Sequence, residues 1–207
     1  MCRIERTMTN IHSNKQRLRQ RLRYLWTFEL FDSVFLPAVM VFCARTLERP
    51  VGFFAIYSAG LVTWMLWQGA AYWMLKLRAL RTGSTIGAHH LRCFKLLKIL
   101  NWGLIGVMPV LLVGKALLGN PFRSVFDAVA GIGFYSLAVL EQINYYHYQL
   151  MYDYPPVYDY PPDWRYLLSH KTLKRSSLSR ALANSEASWE RRSRVGERGT
   201  DAESSVS

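Results

Sequence analysis

The stretch FFAIYSAGLVTWMLWQGAAYWML, residues 53–75, has no charged side chain and no polar stripe at helical spacing. A soluble helix turns a polar face to water about once per turn, so a helix apolar all round is either buried or membrane-spanning. ILNWGLIGVMPVLLVG, residues 99–114, reads the same way. A hydrocarbon core about 30 Å thick needs about 20 residues of helix. Segments of that length lie at 24–44, 51–75, 96–118 and 124–146. The expected fold is an all-α integral membrane protein with four transmembrane helices.

The flanks are polar. The chain has 207 residues, 51% of them hydrophobic, and a formal charge of +12. Its charge is segregated into residues 1–23, the linker after the second apolar segment, and the tail from 169. Arg17, Arg19, Arg21 and Arg23 precede the first segment, and Lys76, Arg78, Arg81, Arg92, Lys95 and Lys98 fall between the second and third. The other two linkers carry few positive charges. The positive-inside rule then places both termini and the middle linker in the cytoplasm. Local breakers agree with these boundaries: Arg49-Pro50 and Asn120-Pro121 mark the two outer turns. Ser124 and Asp127 have the spacing of an N-terminal cap for the fourth helix. Pro37 and Pro109 should bend the first and third.

Residues 1–23 read as a basic amphipathic segment, with Leu18, Leu22 and Leu25 on one side and arginines between them. Such a helix lies on an anionic inner leaflet or runs into the first span, and Arg17, Arg19, Arg21 and Arg23 are its candidate lipid contacts. Beside a membrane entry point, lipid and topology explain this charge, and no nucleic acid is expected. The transmembrane domain occupies 24–148, followed by a Tyr/Pro-rich interfacial segment at 149–168. There YDYPPVYDYPP repeats itself and its paired prolines stop the fourth helix. Residues 169–207 have little apolar content and are expected to be a disordered basic tail.

With this topology the polar residues of all four segments fall in one layer toward the cytoplasm. Glu29, Asp32, Gln68, Tyr72, Asn101, Glu141, Asn144, Tyr145 and His147 form a candidate intramembrane cluster. Two readings remain open. Amides and aromatics at such depth serve as interhelical fasteners and interfacial belts. Ionisable groups within a membrane also mark ion or proton pathways.

Catalytic signatures are missing. The sequence has no G-x-S-x-G, H-E-x-x-H, C-x-x-C or P-loop. His89 and Cys93 stand four apart and are weak metal-ligand candidates, but zinc normally takes three or four protein ligands. No metal and no cofactor is expected. The leading functional expectation is a noncatalytic multi-pass component of a cell membrane, bacterial inner or plasma membrane. Its partners would be anionic inner-leaflet lipid and a partner protein or a second copy of the chain. The alternative is a small proton-coupled transporter using the carboxylates. A third is an intramembrane lipid enzyme using them with His147.

Overall fold

The computed structural model describes residues 2–148, 175–185 and 187, with side chains from Gln16 onward. Its elements are helices: α1 (Cys2–Thr46), α2 (Phe53–Thr82), α3 (Ala88–Leu118) and α4 (Val125–Tyr146). Three of them are long and apolar enough to cross a membrane, namely Gln16–Thr46 of α1, α3 and α4. α2 is not among them, although its 30 residues would reach about 45 Å. Trp64, Trp67, Gln68, Tyr72 and Trp73 dilute its apolar character.

The basic N-terminal segment is not a separate element. It is continuous with the first apolar segment in one helix of 45 residues, roughly 68 Å long. Asn10-to-Arg23 offers no glycine or proline to interrupt it, and Pro37 is the helix's one internal proline. The helix ends in a Schellman turn: Arg49 N–H bonds Ala44 C=O at 2.9 Å, and Glu48 N–H bonds Arg45 C=O at 3.1 Å. Glu48 takes the left-handed position there, at φ 51°. α2 ends likewise, with Gly83 at φ 67° and Ser84 N–H on Ala79 C=O.

The chain divides into two compact units, one of residues 1–86 with 99–142 and one of 87–98 with 143–207. In the first, paired contacts give the helix directions. Glu29 meets Trp73 and Ser33 meets Trp67, so α1 and α2 are antiparallel. Tyr57 meets Leu104 and Gln68 meets Asn101, so α3 also runs against α2. Residue 127 bonds Gly52 and Ala55 while Ala138 packs with Leu61, Val62, Met65 and Leu66, so α4 runs with α2. The core joins Leu61, Val62, Met65 and Leu66 of α2 to Ile105 and Ala138, with Leu36 packed against them. A second cluster holds Met40, Ala55 and Ala59. At Gly131 a Cβ would fall 2.3 Å from the buried Phe54 ring, so only glycine lets α4 approach α2 there.

In the second unit the chain turns at His147 and pairs Tyr148 with Arg175. Ser176 then caps a short helix over residues 177–185, accepting Ser179 N–H at 3.0 Å and donating its hydroxyl to Tyr145 C=O. Leu178 and Leu182, one turn apart, are both buried. Within the stretch expected to be a disordered tail, residues 177–185 are therefore helical, started by a serine cap and carrying two leucines at i, i+4. The YDYPP segment and the remainder of the tail lie outside the described residues.

Candidate polar layer

Asn101 is the centre of the polar layer in the first unit. It is fully buried on α3, flanked by Ile105 and Met108 on the same buried face. Its carbonyl accepts Gln68 Nε2 at 3.0 Å and Trp64 Nε1 at 3.2 Å. Its amide nitrogen donates to Gln68 Oε1 and to Gln142 Oε1, each at 2.9 Å. Gln68 and Asn101 thus exchange both amide bonds in a closed ring, and Gln142 extends the network to α4. A buried amide brings two donor hydrogens and a carbonyl that each need partners. Here Gln68, Gln142 and the Trp64 indole together fill both sides of the Asn101 amide.

A second set of contacts ties α1 to α2. Trp73 Nε1 donates to Glu29 Oε1 at 2.7 Å, and Trp67 Nε1 donates to Ser33 Oγ at 3.0 Å. Glu29 is buried, and it stands one helical turn from Ser33 on α1, so both acceptors share the face turned to α2. Indole nitrogens are donors only, so the acceptors must come from the facing helix.

The two internal prolines explain further hydroxyl contacts. Proline has no N–H, so it strands the carbonyl four residues earlier in its helix. For Pro109 that carbonyl is Ile105 C=O, and Tyr135 of α4 donates its hydroxyl to it at 2.9 Å. For Pro37 it is Ser33 C=O, and Thr63 of α2 donates to it at 3.4 Å. Tyr57 donates to the adjacent Leu104 C=O at 2.8 Å. Each helix break is thereby covered from a neighbouring helix, as apolar surroundings require.

The far end of the unit is held by one carboxylate. Asp127, 1% exposed, accepts Gly52 N–H and Ala55 N–H on Oδ1 at 3.1 and 3.0 Å, and Arg123 N–H on Oδ2 at 3.1 Å. Ser124 receives Asp127 N–H and donates to Pro50 C=O. The capping expected for α4 is present. The same aspartate also serves the start of α2, which has no side-chain cap of its own at Gly52. That is possible only because residue 52 is glycine: a Cβ there would lie 2.2 Å from Asp127 Oδ2.

The remaining candidates divide between the two units. Tyr72 and Glu141 are buried and Asp32 is half-buried, all in the first unit. Asn144, Tyr145 and His147 belong to the second unit, where Asn144 and Tyr145 are buried. Burial, and secondarily the Lys98 charge, lower His147 below its ordinary pKa of 6.5. Arg17, Arg19 and Arg23 are exposed and Arg21 half-exposed on α1. His89 and Cys93 are exposed and approach to 3.9 Å, but no third metal-ligating side chain joins them among the described residues. Sequence reasoning missed Gln142, Trp64, Trp67, Trp73 and the proline-covering hydroxyls. Gln142 stood beside Glu141, whose charge drew attention away from it. The prolines could have exposed Tyr135 and Thr63, because each names the carbonyl that lacks a donor.

Comparison with protein-family models, with curated proteins and with solved structures finds no match for this chain.

Proposed function

We propose that the chain is a four-span, noncatalytic component of a cell membrane, with both termini cytoplasmic, that binds anionic lipid and a protein partner through its basic ends. The observation that carries this reading is the reciprocal amide network of Gln68, Asn101 and Gln142. Its donors and acceptors meet across helices, which is how polar side chains fasten membrane bundles. The basic face of α1 at Arg17, Arg19, Arg21 and Arg23 supplies the lipid contact, and the flanking charges supply the orientation. α2 completes the four-span arrangement as the helix whose polar side chains its neighbours cover.

The test combines two variants of the full chain. Replacing Glu29 and Glu141 together by Gln should leave insertion and lipid association intact. Replacing the four arginines by Gln should weaken flotation on anionic vesicles, with the remaining binding less sensitive to salt. The reverse pattern would sink the reading. A proton-coupled carrier is favoured by the burial of Glu29 and Glu141. It requires Glu141→Gln to abolish proton flux in liposomes loaded with a pH dye.

A further inference from the structure

A cavity of about 510 Å³ opens where the start of α2, the end of α3 and the turn before α4 meet. Its lining includes Phe53, Ile56, Lys115, Phe122 and Arg123. The two cations enter from different elements, Lys115 from the last turn of α3 and Arg123 from the turn that precedes α4. Both are exposed, and no acidic side chain lines the cavity. The buried acid Asp127 has its oxygens on three backbone N–H groups, those of Gly52, Ala55 and Arg123. Lys115 Nζ stands 5.7 Å from the Phe53 ring centroid, which holds it over the cavity wall.

We propose that this cavity is a binding site for the phosphate group of an anionic phospholipid. The guanidinium offers a planar fork to phosphate oxygens, and the ammonium adds a point charge from the other side. Basic pockets between membrane helices bind lipid head groups through this chemistry. A free phosphate would use only the cationic half. The apolar half, with Phe53 and Ile56 exposed on the outer face of α2, suits the glycerol and first methylenes of a lipid. The inference rests on the membrane-spanning reading but on neither the orientation nor the arginines of α1.

The experiment uses the full chain in nanodiscs containing spin-labelled phosphatidylglycerol or phosphatidylcholine. At roughly fivefold in affinity per interfacial lysine or arginine, the two cations should give a preference for phosphatidylglycerol of about 25-fold. Lys115→Gln with Arg123→Gln should remove most of it. Ile56→Trp, which fills the cavity without touching charge, should do the same. Arg45→Gln with Arg49→Gln, equal in charge but outside the cavity, should leave it unchanged. Equal losses in both charge-neutralised doubles would reduce the effect to bulk charge and overturn the site, as would a preference that survives Ile56→Trp. Inorganic phosphate is titrated in parallel against the detergent-solubilised chain. Submillimolar phosphate binding without lipid preference would overturn the lipid assignment. Failure to enter nanodiscs at all would instead overturn the membrane-spanning reading.

Discussion

Tyr135→Phe removes one oxygen, and its effect should depend on a residue 26 positions away. The hydroxyl donates at 2.9 Å to Ile105 C=O, the carbonyl that Pro109 leaves without its helical N–H. Interhelical hydrogen bonds in membranes average about 0.6 kcal/mol and reach about 1.7. This one should lie near the upper value, because the stranded carbonyl has lost its intrahelical donor and would cost about 1–3 kcal/mol if left unsatisfied. Tyr135→Phe is therefore expected to destabilise by roughly 1.5 kcal/mol. In a Pro109→Ala background residue 109 regains an N–H, the carbonyl bonds within α3, and the same change should cost about 0.5 kcal/mol or less. The double-mutant cycle should thus give a coupling of about 1 kcal/mol. Reversible unfolding in mixed detergent micelles, followed by helical circular dichroism, measures all four chains. Equal costs in the two backgrounds would refute the idea that Tyr135 covers the proline break.

Asn101→Leu removes four hydrogen bonds at once and should cost roughly 2–3 kcal/mol in the same assay, whereas Gln142→Leu, which removes the bond from Asn101, should cost about 0.6 kcal/mol. Values within 0.5 kcal/mol of the parent for Asn101→Leu, about the error of additivity, would remove the amide network from the stability of the unit. Gly52→Ala should destabilise by about 2 kcal/mol by forcing Asp127 off the α2 terminus, and should be nearly neutral once Asp127→Ala has been made. Additive costs would contradict that steric link. His147 carries a folded pKa lowered from 6.5, so the unfolded chain takes up the proton first as pH falls. Stability of the second unit should be full above about pH 6.5 and decline as pH falls through the lower folded value, read as lost hydrogen-exchange protection at residues 176–179. His147→Gln should flatten that decline, and a decline that persists in the variant would assign it elsewhere.

The helical architecture was legible because long apolar runs and Arg-Pro or Asn-Pro breaks follow directly from the solvent and from backbone sterics. The identity of the polar layer was legible in part. Gln68 and Asn101 stood out as amides in apolar runs, but their pairing depends on the rotation of α3 against α2, which no spacing within one helix records. Ser124 and Asp127 were readable as a local cap because N-cap chemistry is local. Asp127's second role was not, since it needs a contact across 75 residues at Gly52. Glycine 52 gives no composition signal for it. The start of the helix over residues 177–185 was not legible because a nine-residue helix is marginal alone and takes its stability from what buries its leucines.

Asp127 also sets an order on synthesis. When α2 emerges from the ribosome its first-turn N–H groups at Gly52 and Ala55 have no acceptor from their own segment, because the residue that holds them is made 72 residues after Ala55. At about 5–20 residues per second, that start waits several seconds or more. A nascent chain halted in α3 would carry an α2 whose leading turn is frayed, and arrival of α4 would close it. The last of the four long helices to be made is thus the one that finishes the second, and until then the α1–α2 turn lacks that anchor.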